Sequence, residues 1–472
     1  MRVTSNTKAI FKLKKKYSKW PPKSGFLNFR GFLINHAPRW LILLALKKFV
    51  ANSDYKLKRE SRKFFDLSIR AYGGRRRRKC ERFLTIALNL LSSSWPNEYK
   101  SLLCTTVRST FKTSSSRGSA CESVLLATAQ LVPSIFDATG WYQLSRGLFS
   151  LGYFRAAWVA RENSLELSIA EGTKLDSSAT SVSRAIESYL ERLDLDSVQK
   201  LLDETSVLGA KNLSSFREFL ECFEPNFALN SFNEISGLGV SEKVFNELVT
   251  ARKVALVGPG HPRGEFGGEI DRADTVARVK FVGTANLPEQ KFHGSRCNIA
   301  YQAALSVLAE YVELGLNIDY YKNIDLFVSS SELLEFDTKP VFNIETSIPM
   351  YRTTAVSGIN LLYQLIKASP KTLKVYGYDF RADRKQYSNA SRDFYKHNGS
   401  LLGHPYPGFD SEDLPAWIIA CDFCEHDFVS NFCFAQNLYK AGLFDIEPYG
   451  KSILELTPYQ YVERLEDMLG DW

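Results

Sequence analysis

Residues Lys253–Lys280 read KVALVGPGHPRGEFGGEIDRADTVARVK, and the order of features in this stretch points to an α/β domain. Val254-Ala-Leu-Val257 is a short apolar run of the kind buried in a parallel sheet. It breaks at once into Gly258-Pro-Gly260 and then His261-Pro-Arg263-Gly264. Glycines directly after a buried strand let the backbone approach a ligand, and their N–H groups can face an anion. Arg263 and Arg278 flank the turn, Glu269, Asp271 and Asp274 follow it, and a second apolar run surrounds Val276. The stretch therefore reads as strand, anion-compatible turn, acidic segment, strand. A G-x-G spacing alone equally suits an ordinary turn.

Outward from this stretch, the composition changes near 235–250. C-terminal to it, strand and helix patterns alternate: strands at Val254–Val257, Thr275–Val279, Ile324–Val328 and Leu373–Tyr376, and helices at Ala303–Leu314, Ser357–Ala368 and Phe428–Ala441. That order predicts a Rossmann-like parallel sheet with helices on both faces, over 245–472. Ligands of such sheets bind beyond the carboxyl ends of the strands, where both the Gly258 turn and Gly377-Tyr-Asp379-Phe380 fall. N-terminal to it the period is helical, over Phe83–Leu91, Val124–Leu131, Trp141–Leu151, Tyr153–Leu167 and Ala185–Leu202. Residues 31–235 read as an all-α helical-hairpin domain, loosely similar to a tetratricopeptide unit around Trp141–Ala157 but without a sustained period. Small residues there favour close helix packing. Residues 1–30, basic and containing Pro and Gly, read as a disordered arm.

The chain has 472 residues, 44% of them hydrophobic, and a net charge of +8. This suits a globular protein of two or three domains. The basic residues crowd into the first eighty positions, as in Lys8–Lys16 and Arg75–Lys79, which suits contact with an anionic membrane surface. A nucleic-acid partner is not expected on this feature alone. No apolar stretch reaches the ~20 residues of a spanning helix, and no secretory pattern opens the chain. The eight cysteines lack framework spacing. A cytoplasmic protein, peripheral at the inner membrane face, is the expectation. Cys421-x-x-Cys424 with His426 could ligate zinc, but no second pair lies nearby, so no metal site is expected.

Four pieces follow in chain order: the Gly258 turn with its acidic tail, Thr353-Thr-Ala-Val-Ser357-Gly358-Ile-Asn360 opening a helix, Val375-Tyr-Gly-Tyr378-Asp379-Phe380, and His426-Asp427 before a helix. A helix start with Ser and Gly offers N–H groups and a hydroxyl to a phosphate or carboxylate. This order resembles the sialyltransferases, both the animal-type family and the small bacterial lipooligosaccharide family, over roughly residues 250–450. The chain departs from their motifs where Pro259 and His261 stand near an expected asparagine, at Lys280, and at Asn431.

The resemblance implies the sialyltransferase variant of the GT-A fold. It also implies a metal-independent, inverting transfer from a CMP-activated acidic sugar to a glycan or glycolipid acceptor. Sialic acid is the first choice of donor sugar, and Kdo or a related nonulosonate the second. A histidine suits proton abstraction from the acceptor hydroxyl: His426 is the first candidate and His404, in a Pro/Gly loop, the second. Donor binding is assigned to Gly258, Gly260, Arg263, Arg278, Lys280, Ser357, Gly358, Tyr378, Asp379, Arg381 and Tyr387. Arg381 and Tyr387 occupy the places of two phosphate-supporting tyrosines. Two rival readings stay open: an inactive fold of this type used as a binding module, and a Rossmann-type nucleotide enzyme, for which Asp271 and Asp274 come too early to hold a ribose.

Overall fold

A computed structural model describes residues 137–150, 154–174, 176–223, 239–260, 262–279, 290–302, 324–329, 341–344, 348–382 and 426–469, all within one compact unit, Ser114–Trp472. The basic runs Lys8–Lys16 and Arg75–Lys79 lie outside the described residues, as do the helices expected at Phe83–Leu91, Val124–Leu131 and Ala303–Leu314. So do Cys421, Cys424 and the site candidates Lys280, Tyr387 and His404.

Helices α1 (Ala138–Ser150), α2 (Phe154–Gly172), α3 (Ala179–Glu191), α4 (Leu195–Glu204) and α5 (Ala210–Glu221) come first, then α6 (Val240–Val249). The α/β part follows: β1 (Lys253–Val257), α7 (Gly267–Asp271), β2 (Thr275–Val279), α8 (Gln290–His293), β3 (Ile299–Gln302), β4 (Leu326–Ser329) and β5 (Val341–Asn343). It closes with α9 (Ser357–Lys367), β6 (Thr372–Tyr376), α10 (Phe428–Lys440), β7 (Asp445–Ile446), α11 (Pro448–Leu454) and α12 (Pro458–Leu469).

The strands form one seven-stranded sheet in the order β5-β4-β3-β2-β1-β6-β7. Every pairing is parallel. Strand β2 is buried at every position and β1 at all but Lys253, which explains their continuous apolar runs. The chain builds outward from β1 to β5, then returns to lay β6 on the other side of β1. The order therefore reverses between β1 and β6, and a crevice opens beyond their carboxyl ends. Ala255, Val257, Val276 and Tyr376 form one apolar face, covered by Ile270 of α7 with Phe266 beside it.

In the helical half, α2 buries Ala156, Ala157, Ala160, Ser164 and Ser168, and these small residues let α1 and α3 pack closely on it. The run Ala185–Leu202, expected as one helical segment, is two helices. Leu193 takes a left-handed φ of 56°, and the Asp194 carboxylate caps α4 through Ser197 N at 3.1 Å. A short polar side chain that satisfies a new helix start competes with continuation of the old one.

Helix α10 joins the two halves. Its residues from Phe428 to Leu438 are all buried, as expected of a helix enclosed on every side. Its polar residues serve other helix ends. Asn437 Nδ2 donates to Leu190 O at 2.9 Å, and Gln436 Nε2 donates to Leu454 O and Leu456 O at 2.6 Å. These carbonyls lie at helix carboxyl ends, where no intrahelical donor exists.

The acidic residues after the Gly258 turn build this frame. The Asp271 carboxylate accepts from Ser295 N at 2.9 Å, Ser295 Oγ at 3.0 Å and Arg296 N at 3.0 Å, while Asp274 accepts from Lys253 N at 2.8 Å. Asp271→Ala should cost about 2–3 kcal/mol, the worth of charge-assisted bonds left unmade. The check is a lower urea midpoint with an unchanged m-value; an unchanged midpoint would refute this role.

Candidate functional site

The crevice between β1 and β6 is lined by five elements. The turn after β1 supplies Pro259 and Gly260, and the end of β2 supplies Val279. Helix α9 supplies its start, Val356–Ile359. The loop after β6 supplies Gly377–Arg381, and α10 supplies Phe428, Asn431 and Phe432.

Gly258 and Gly260 do not present their amides to this space. Gly258 N donates to Tyr376 O at 2.8 Å and Gly260 N to Gly377 O at 3.1 Å. The expectation that their N–H groups face an anion is thereby corrected: the turn is sewn to the neighbouring strand end. Gly377 has a φ of +63°, and a Cβ there would approach Gly260 O to 2.8 Å, so the two turns meet backbone to backbone.

The first turn of α9 is the anion-compatible element. Its N-cap, Val356, provides no side-chain acceptor, and the N–H groups of a helix's first turn have no intrahelical partner. Ser357 and Gly358 thus bring amides, a hydroxyl and the positive end of the helix dipole to the cleft. Helix α10 begins at the same cleft but is neutralised, because Asp427 Oδ1 accepts from Val429 N at 3.0 Å and Ser430 N at 3.1 Å. Gly358 has a different task from the one expected of a phosphate glycine. Any Cβ there would collide with the Tyr378 ring, so the glycine admits that phenol to the helix start.

Asn431 ties the two helix starts together. Its Oδ1 accepts from Val356 N at 2.8 Å, and its Nδ2 donates to Asp427 O at 2.8 Å. Asp427 N in turn donates to Thr353 Oγ1 at 3.0 Å. The position noted in the sequence as a departure from the sialyltransferase motif is therefore a structural bridge.

The loop after β6 is conformationally strained. Phe380 and Arg381 have φ of 51° and 66°, left-handed values that cost non-glycine residues energy. The loop is held by Tyr461 Oη, which donates to Phe380 O at 2.5 Å, and by Arg464 Nε, which donates to Ala382 O at 3.1 Å. Asp379 Oδ1 accepts from Arg381 N at 3.0 Å. Burial pushes the Asp379 carboxyl up to about 6, against the lowering effect of the bond from Arg381. A carboxyl raised by desolvation in a cleft is a common mark of a functional group. The Arg381 guanidinium carbon stands 5.1 Å from the Phe428 ring centre, within the same lining.

The structure thus brings Gly260, Ser357, Gly358, Tyr378, Asp379 and Arg381 to one cleft, with Gly258 packed behind. His426 immediately precedes Asp427, and its ring centre lies 6.3 Å from that of Phe428. The Arg263 guanidinium carbon stands over the Tyr449 ring, 4.1 Å from its centre, and Arg263 is not among the lining residues. Arg278 is a correction. It points into the protein, where its Nε donates to Arg296 O at 2.7 Å and Nη2 to His293 O at 2.6 Å. Burial pushes its pKa down. Among the described residues no group of three His, Cys, Asp or Glu is disposed to hold a metal ion, and no described helix is long and apolar enough to cross a membrane. No protein-family model matches this chain, and no curated protein matches it.

The raised Asp379 carboxyl generates a pH dependence. Its native pKa lies above its unfolded value, so its proton stabilises the fold below about pH 4, and that stability is lost as pH rises through about 6. Asp379→Asn should therefore raise the melting temperature at pH 7.5 relative to wild type and flatten the fall in stability between pH 4.5 and 7.5, by an amount on the order of 1–2 kcal/mol. Identical pH slopes for the two proteins would refute the assignment.

Proposed function

We propose that this chain is an inverting glycosyltransferase that moves an acidic sugar, sialic acid or a related nonulosonate such as Kdo, from a CMP-activated donor to a hydroxyl of a glycan or glycolipid acceptor. The observation that carries the reading is the uncapped start of α9 at the switch point of a parallel sheet, facing the strained Gly377–Arg381 loop. A phosphate suits that helix start, and the pieces around it follow the chain order of the sialyltransferases.

In this reading the acceptor oxygen attacks the anomeric carbon, the bond from that carbon to the phosphate oxygen breaks, and CMP leaves. His426 takes the proton of the acceptor hydroxyl. The negative charge gathering on the departing phosphate is met by the Ser357 and Gly358 amides, the Ser357 hydroxyl, the Tyr378 phenol and the Arg381 guanidinium. Such donors act strongest where they are fixed before the reaction. A peripheral contact of the basic N-terminal segment with an anionic membrane would hold the chain at the surface that carries a lipid-borne acceptor.

One observation favours a second reading, a catalytically inactive sialyltransferase-like fold used as a binding module. The acidic residues and arginine of the first motif, Asp271, Asp274 and Arg278, are all occupied in holding backbone. Turnover separates the two. CMP should raise the melting temperature as RT ln(1 + [L]/Kd), and NAD should not. His426→Ala should retain CMP binding and lower kcat by about 10²–10⁴-fold, whereas Ser357→Ala should weaken CMP binding first. CMP binding without transfer by the wild type would select the module. Stabilisation by NAD alone would overturn both readings.

A further inference from the structure

We propose that Arg161, on helix α2 of the helical half, is a positioning residue for the cleft. It acts by locking the start of α10 and, through Asn431, the start of α9. The inference deepens the proposed function, since the reaction it positions is the transfer described above.

Arg161 is wholly buried, and its guanidinium is shared among three partners on two other helices. Nε donates to Asp427 Oδ2 at 3.0 Å, Nη2 donates to Ser430 Oγ at 2.6 Å, and both terminal nitrogens meet the Glu191 carboxylate of α3. Burial alone would lower its pKa, but the carboxylates of Asp427 and Glu191 outweigh burial and raise it, so the group is a fixed cation. A planar fork with donors in set directions can hold three acceptors at once; an ammonium cannot impose that geometry.

What the fork holds is the cap of α10. The Asp427 oxygen that does not bind Arg161 caps the first turn, and the Asp427 peptide anchors Thr353 and Asn431. Asn431 then fixes Val356 N, the residue before the uncapped α9 start. From guanidinium to phosphate-compatible amides the path is continuous: Arg161, Asp427, Asn431, Val356. Arg161 itself is not part of the cleft lining. Ser164 and Ser168, on the same helix, hold the Tyr351 hydroxyl, Ser168 at 2.9 Å. The segment leading into α9 is thus pinned from α2 at a second point. The helical half is in this sense a wall of the site.

The test is Arg161→Lys, with Asp427→Asn beside it and Arg155→Lys as control. Asp427→Asn keeps an N-cap acceptor and leaves Arg161 balanced by Glu191, so it remains informative should Arg161→Lys fail to fold. Arg155 sits on the same helix but pairs with Glu466 and Asp467 of α12 and not with α10. For both test variants, kcat with a CMP-activated acidic sugar should fall about 10²-fold, the scale of a misplacement near 1 Å. KM for the donor should change less, and amide exchange across residues 353–360 should quicken while the melting temperature stays close to that of the control. Wild-type turnover and wild-type exchange in the folded test variants would overturn the inference. If the wild type transfers no sugar, the proposed function falls by itself, and the exchange comparison still decides the inference.

Discussion

A single buried guanidinium holds two carboxylates in the seam between the helical half and the sheet. Arg161 with Glu191 and Asp427 is a charge cluster fully enclosed by protein. Such a cluster is a poor source of net stability, because the desolvation of its members offsets most of their attraction, yet it tolerates few alternative geometries. Removing the guanidinium would leave both carboxylates uncompensated, at a cost of about 3–5 kcal/mol. Helix α10 is thereby held in one register against α3, and every contact that α10 makes at the cleft inherits that register. The enclosing apolar residues of α10 supply the burial, and the ion cluster supplies the alignment.

The cleft follows from this alignment and from the reversal of strand order at β1 and β6. The two glycine turns interlock through their own backbone bonds, which frees neither for a ligand but fixes the floor of the crevice. The opposite wall is α9, whose first turn is left uncapped while that of α10 is capped by Asp427. This asymmetry concentrates positive potential at Ser357 and Gly358. The loop carrying Tyr378, Asp379 and Arg381 is bent into left-handed conformations and buttressed by Tyr461 and Arg464 from the last helix. Strain with external support of this kind is characteristic of ligand-facing loops.

Much of this was legible in the sequence. Val254–Val257 and Thr275–Val279 are strands where their buried apolar runs place them. Asp427 before Phe428 announced a helix start, and Ser357-Gly358 announced another, each by a local rule. Strands β3, β5 and β7 were not visible, because Ile299–Gln302, Val341–Asn343 and Asp445–Ile446 are too short to show a period and become strands only through pairing. The burial of Arg278 was hidden for a related reason: an arginine in a strand reads as a surface residue until the carbonyls of His293 and Arg296 are brought to it. Arg161 carried no signal at all. Its acidic partner Asp427 lies 266 residues away, and no local pattern marks a pairing at that distance.

The central claim is that the first turn of α9, and not the glycine turn after β1, receives the phosphate of a nucleotide. A crystal structure of the full chain soaked with CMP tests it most directly. The account predicts a phosphate oxygen at about 3 Å from the N–H of Ser357 or Gly358, with Arg381 or Tyr378 completing its contacts. A phosphate seated on Gly258–Gly260, or a nucleotide bound away from the β1–β6 crevice, would contradict it.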